Sequence, residues 1–313
     1  MGELTGAEAS DGQRVVALQG DGIFRLLRRH GLDPDAHLPE FVRLNRAALG
    51  PGNMLIAGRT YELPGRVPVV IEPLFGSARE RVLVLDRQLQ GAVFYLMSGH
   101  GGPDPGGVAE RDGHVLCEDE YAYDVVLRLG RRLLEHGATV HFIIRDPNDG
   151  IRDERYLKPD QDEVCYPNQP IPANQLERLQ QRVAAVNSLA RQDAGAAYRR
   201  CIEIHVDARR KSEDIDIFFY HQRGNDTGRR MAGTLLQTIR QKYQASQPGR
   251  GYQGFVSTRG LYTLNHIEVP VVFIELGNIH NPRDQVRLLE PNNRQAMANW
   301  LCDGILRDFR DPR

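Results

Sequence analysis

From residue 81 onward, short apolar runs alternate with longer stretches in which apolar residues recur every three or four positions. Val82-Leu83-Val84-Leu85 and Val93-Phe94-Tyr95-Leu96-Met97 are runs of the kind that buried strands make. Residues 118–136 predict an amphipathic helix with Val125, Val126, Leu129, Leu133 and Leu134 inward and Gly137 as its stop. Val140–Ile144 predicts the next strand and residues 173–193 the next helix. Cys201–Val206, Ile215–Tyr220 and Val271–Leu276 predict further strands, and helices are expected near 227–245 and 292–309. The alternation predicts an α/β domain over residues 81–313, a sheet covered by helices on both faces; a mixed, twisted sheet is the expectation.

The preceding chain reads differently. Residues 14–64 predict a small α+β unit: a strand at Val15–Leu18, a turn at Gly20-Asp21-Gly22, and a helix through Ile23, Leu26 and Leu27 closed by Gly31. A second helix through Phe41, Val42 and Leu44, a turn at Pro51-Gly52 and a closing segment at Tyr61–Pro64 follow. Residues 65–80, with Pro68, Pro73 and Gly76, read as a linker or entry strand. Residues 145–172 stand out inside the large domain. They hold Pro147, Pro159, Pro167, Pro170 and Pro172, with seven acidic and four basic residues between Arg145 and Glu163. A loop of that length and composition predicts an exposed, mobile flap.

Composition narrows the function classes. The chain has 313 residues, 40 of them basic and 41 acidic, for a net charge of -1. That balance leaves no electrostatic footprint for nucleic acid. No apolar run of about 18 residues is present, so no transmembrane helix is expected. The first six residues, Met1–Gly6, are polar and lack the apolar core of a signal peptide. Cys117, Cys165, Cys201 and Cys302 show no CxxC spacing, which argues against a cysteine metal site; their number allows two disulfides without requiring any.

The candidate chemistry lies where predicted elements end. His100 follows a strand and precedes Gly101-Gly102 in a Gly-rich loop, Ser98-Gly99-His100-Gly101-Gly102-Pro103-Asp104-Pro105-Gly106. Glu118 opens a helix; Glu120, two residues on, diverges from it by about 200° of helical rotation and so cannot share its direction. His205 closes the apolar alternation of Cys201–Val206, and Glu203 shares its face of the strand. Glu275 ends the run Val271-Val272-Phe273-Ile274, where an unpaired buried charge would be costly. Two histidines and a carboxylate are an established ligand set for catalytic zinc, with a fourth position left for water.

These segments, in this order, resemble the zinc-dependent N-acetylmuramoyl-L-alanine amidases. The likeness rests on the loop Gly99–Gly106, on Glu118 nine residues before Leu127-Arg128-Leu129, on Ile204-His205-Val206-Asp207-Ala208, on Arg182 and Asn187, and on Glu275-Leu276-Gly277, and it covers about residues 81–309. It implies one Zn2+ per chain held by His100, Glu118 and His205, with Glu275 as the catalytic base. The reaction it implies is hydrolysis of the amide joining N-acetylmuramic acid to L-alanine, and the implied partner is peptidoglycan outside the cytoplasm. Glu203 stands where the family has serine and is expected either to contact substrate or to orient His205. Arg259 and His280 complete the candidate substrate contacts. Residues 14–64 resemble a LysM domain, a binder of N-acetylglucosamine polymers, through Gly20-Asp21, Leu44-Asn45, Gly58 and Leu63-Pro64, although Gly22-Ile23 departs from its pattern. A zinc carboxypeptidase-like hydrolase, with Arg259 receiving a free carboxylate, and a decayed cell-wall-binding protein are the competing expectations.

Overall fold

The computed structural model describes residues 13–65 and 67–311, which form two compact units. The first comprises the described residues up to Ile71 together with Arg81–Leu85. Its elements are β1 (Arg14–Val16), α1 (Ile23–Arg29), α2 (Pro34–Asn45), β2 (Thr60–Glu62), β3 (Val69–Ile71) and β4 (Arg81–Leu83). β1 pairs antiparallel with β2. Leu26, Leu27, Phe41, Tyr61 and Leu63 fill a core of this unit's own. Asp33 caps α2 by accepting the backbone N–H of Asp35 at 3.0 Å. The strand–helix–helix–strand order therefore matches the expectation.

Of the two alternatives for residues 65–80, a strand is present: β3 pairs antiparallel with β4, and Pro73–Phe75 forms a 3-10 turn. The apolar run at 82–85 does not join the large sheet: its first residues lie in β4, which pairs with β3. A run of four apolar residues is compatible with either partner, and only the pairing decides.

The second unit is built on a six-stranded sheet. Its strands are β5 (Ala92–Ser98), β8 (Thr139–Phe142), β12 (Tyr198–Asp207), β13 (Phe218–His221), β14 (Val256–Thr258) and β15 (Val271–Asn278), in the spatial order β14-β13-β15-β12-β5-β8. β8, β5, β12 and β15 run parallel, and β13 runs antiparallel to β15, so the sheet is mixed as expected. Short strands β6 (Val108–Arg111) and β7 (His114–Cys117) form a hairpin leading into α3 (Glu118–Glu135). α3, α5 (Asp226–Ser246) and α8 (Pro291–Arg310) pack together. Tyr95, Met97, Cys201, Val271 and Phe273 of the sheet instead share a core with Val186 and Leu189 of α4 (Gln175–Gln192) and Leu264 of α6 (Tyr262–His266). α7 (Pro282–Leu289), absent from the sequence reading, is capped by Asn281, which accepts the Arg283 N–H at 2.9 Å.

The segment 145–172 is not a free flap. Short strands β9 (Ile144–Arg145), β10 (Val164–Cys165) and β11 (Gln169–Pro170) pair antiparallel within it. Its middle is tied to the helices through Asp124 of α3, which accepts from Arg128 (2.7 Å), Arg294 (2.6 Å) and the Arg152 N–H (2.9 Å). Arg294 donates in turn to the carbonyls of Arg152 and Glu154, each at 2.9 Å, and Arg128 reaches the Arg152 carbonyl at 2.6 Å. Proline and charge predict a solvated loop, but here the loop's backbone carbonyls satisfy buried guanidiniums instead of water.

Asp124 and Arg294 are fully buried as a pair. Replacing one partner leaves the other uncompensated. Arg294→Met should therefore destabilise the protein by about 3–5 kcal/mol, read as a lowered urea midpoint. It should also speed proteolysis within 145–172. A loss well under 1 kcal/mol would mean that Arg128 alone holds Asp124.

Candidate metal centre

The strand ends set the geometry. β5 ends at Ser98, and the following loop turns on Gly101 (φ +140°) and Gly102 (φ +64°). Parallel pairing of β12 and β15 places His205 opposite Glu275 and Glu203 opposite Phe273, so the four side chains share one face. The His205 ring stacks on Phe273 at 4.1 Å between centroids. Glu118 is the first residue of α3, with its side chain buried.

Glu118 joins these pieces. Its Oε1 accepts the Val206 N–H at 2.9 Å and lies 3.0 Å from His205 Nδ1 and 3.5 Å from His100 Nε2. Its Oε2 accepts the Gly107 N–H at 2.8 Å. His100 and His205 meet edge to face, 5.0 Å apart. Each histidine's other nitrogen faces its own carboxylate: His100 Nδ1 lies 3.0 Å from Asp104, and His205 Nε2 lies 3.1 Å from Glu203. One donor atom from each of His100, Glu118 and His205 falls within 4.8 Å of the others. A tetrahedral cation with nitrogen and oxygen ligands fits this set, and the outer carboxylates orient both rings toward it.

Two glycines make this approach possible. A Cβ on Gly99 would lie 1.7 Å from the His205 ring. A Cβ on Gly106 would lie 2.6 Å from Glu118 Oε2 and 2.7 Å from the His100 ring.

The electrostatics follow from burial and pairing. Burial opposes charge on His205, but hydrogen bonds to Glu118 and Glu203 outweigh it and push its pKa up to about 10. Without a metal, a proton is therefore held where a cation would bind. Burial alone would raise Glu118, yet His205 and His100 hold it below its ordinary value. Burial likewise opposes charge on Asp104, and the contacts with His100 and Arg178 hold it well below. Glu275 is the opposite case. Burial pushes it up to about 8, with His205 pulling the other way, and its Oε2 has no hydrogen-bond partner.

His100, Glu118, Glu203, His205, Arg259 and Glu275 all line one cleft of about 340 Å³. Arg259 lies over the Tyr220 ring at 5.3 Å. Glu203 is 2 % exposed, and its second oxygen accepts the Thr263 hydroxyl at 2.6 Å. Both of its oxygens thus face protein partners, His205 and Thr263, on the wall of the cleft. His280 does not line the cleft. It lines a separate depression with Arg111, Arg209 and Lys211, because the chain turns away after Asn278. Glu120 points to Arg152 at 2.8 Å, away from the histidines. All four cysteines are buried and free.

The sequence alone gives Arg178 and Thr263 no role. Asp104 lies in the Gly-rich motif four residues after His100, and that spacing is its only local signal. Arg178, which pairs with Asp104 at 2.8 Å, and Thr263 come from distant elements.

A family model described as N-acetylmuramoyl-L-alanine amidase matches residues 95–307. The probable cell wall amidase LytH of Staphylococcus aureus is 27 % identical over 219 residues, which are 69 % of this chain and 58 % of that protein. The chain thus spans less than two thirds of the length of the curated relatives it matches. Among solved structures, Ami1, an N-acetylmuramyl-L-alanine amidase from Mycobacterium smegmatis, superposes with a TM-score of 0.52 at 18 % identity, covering 72 % of this chain and 99 % of that one. The CwlD amidase of Clostridioides difficile, solved in complex with the GerS lipoprotein, gives 0.51 at 15 % identity, covering 71 % and 100 %. At these identities the structural likeness is one of fold.

Two outcomes test the geometry. Gly99→Ala should displace His205 and lower the content of bound divalent metal as far as His205→Ala does; full metal content would show that the ring can move aside. The second concerns Glu275. Its pKa is raised from 4.5 to about 8, so the folded chain keeps a proton that the unfolded chain has released across that window. This group's contribution to stability therefore falls as pH rises from about 4.5 to about 8. In chelator, wild type should lose stability relative to Glu275→Gln over that range, by a few kcal/mol at most. Parallel urea-unfolding profiles at pH 5 and pH 8 would contradict the burial of an unpartnered carboxyl.

Proposed function

The chain belongs to the N-acetylmuramoyl-L-alanine amidase family, and from that premise we propose that it hydrolyses the amide between N-acetylmuramic acid and L-alanine in peptidoglycan, using one zinc ion. The observation that carries this reading is the convergence of His100, Glu118 and His205 on one point, with Glu275 opposite His205 on the neighbouring strand. His100 Nε2, a Glu118 oxygen and His205 Nδ1 would hold the ion. Bound there, zinc supplies Lewis-acid activation of water and of the scissile carbonyl.

The protein's own groups do the rest. Asp104 and Glu203 fix the two rings so that each offers its remaining nitrogen inward. The unpartnered Glu275 oxygen accepts a proton from the attacking water. The same carboxyl then delivers that proton to the leaving amine of L-alanine, so one group serves both halves of the reaction. Its raised pKa suits this exchange, because a group near neutrality can both take and return a proton. Arg259 lines the same cleft, and in this reading it meets a carboxylate of the stem peptide.

The same reading places the protein outside the cytoplasm, where peptidoglycan lies. Among the described residues, no helix is long and apolar enough to cross a membrane. Residues 14–64 are proposed as its glycan-binding module, on their strand–helix–helix–strand order.

Glu275→Gln should keep its zinc and lose turnover by roughly 10²–10⁴-fold. Mass analysis of wild-type digests should show stem peptides that begin with free L-alanine. Release of single C-terminal residues would favour a peptidase instead, and near-normal turnover by the variant would remove Glu275 from the mechanism. The inactive variant should also sediment with insoluble peptidoglycan and be released by N-acetylglucosamine oligomers.

A further inference from the structure

A second group of acids lies immediately beyond Glu118, facing away from the histidines. Asp119 and Glu120 come from the first turn of α3, and Glu163 comes from the segment leading into β10. They are 2 %, 1 % and 5 % exposed, and one oxygen from each falls within 4.8 Å of the others. Glu120 has a counter-charge, Arg152 at 2.8 Å, and also accepts the Asp160 N–H at 3.0 Å. Glu163 accepts the Gly102 N–H at 2.6 Å. Asp119 Oδ1 accepts the Glu120 N–H at 2.9 Å, but Oδ2 is buried with no partner at all.

Arg152 cannot balance this charge. It is shared with Asp149, which converges with Asp146 and Asp160 in an adjoining group. Buried carboxylates in such excess require a counter-ion or must give up their charge. We propose that Asp119, Glu120 and Glu163 form a second cation site, for a hard divalent ion of the calcium class, distinct from the histidine centre. The donor set is all oxygen, with neither nitrogen nor sulfur, which favours calcium over zinc. The unpartnered Asp119 oxygen is the vacant ligand.

The site has a structural consequence. Glu163 holds the Gly102 N–H two residues after His100, and Asp119 follows Glu118 directly. An ion there ties the start of α3, the 145–172 segment and the His100 loop at one point.

Calcium chloride titrated calorimetrically into the full-length, zinc-loaded protein should show one calcium bound per chain. Asp119→Asn and Glu163→Gln should each weaken it by roughly tenfold or more, because affinity follows ligand charge. The His100→Ala/His205→Ala double variant should still bind it. Absence of calcium uptake by wild type at millimolar concentration overturns the site and leaves protons to neutralise the acids. Loss of uptake in the double histidine variant overturns it by assigning the calcium to the histidine centre. Uptake unchanged by either carboxylate variant, or abolished by Asp149→Asn alone, overturns it in favour of the adjoining acids. The wild-type, double-histidine and Asp149→Asn titrations together decide the question even if a carboxylate variant at the site fails to fold.

Discussion

One carboxylate holds this molecule's chemistry together. Glu118 takes the N–H of Val206 at the end of β12 with one oxygen and that of Gly107 in the Gly-rich loop with the other. It therefore joins a helix start, a strand end and a loop before any metal is considered. Both histidines lie against the same carboxylate, one from each of the joined pieces. A buried carboxylate needs this many partners to stay ionised, and its partners need it to stay close. The constellation is thus bound into the fold by its own hydrogen bonds, and the same three residues bring one donor atom each to within 4.8 Å of one another.

The same logic recurs at Asp124, two turns further along α3. There a buried carboxylate organises Arg128, Arg294 and the backbone of residues 152–154. One helix carries both centres: its first turn faces the histidines, and its next turns anchor the long segment beside them. That segment also reaches the His100 loop directly, through Glu163 and the Gly102 N–H. The wall of the active region is held by buried ion pairs, which are strong when complete and costly when broken.

Glu275 supplies the contrast. It sits among the same strands, yet no donor satisfies its second oxygen, and burial raises its pKa. Two buried carboxylates lining one cleft, one at a helix start and one on a strand, are thereby given opposite characters. Donors hold Glu118 below its ordinary pKa, while burial holds Glu275 above its own. Environment, not residue type, sets the difference between them.

Several features were legible without coordinates because their cause is local. Alternation along Cys201–Val206 put Glu203 and His205 on one face, and the apolar run before Glu275 marked a strand end. Gly99–Gly106 announced a close backbone approach. The N-terminal strand–helix–helix–strand order and the α/β alternation of the large domain followed from periodicity in the same way. Other features depended on partners far away in the chain. Val82–Leu85 was a strand from its composition, but only β3 decided which sheet it joined. His280 looked close to Glu275 from five residues away, but the turn after Asn278 sends it elsewhere. The segment 145–172 had the composition of a mobile loop, and Arg128 and Arg294 are what pin it. Periodicity and turn chemistry are properties of neighbours in sequence, so the chain declares them. Which buried charge meets which carbonyl is a property of packing, and only the folded structure decides it.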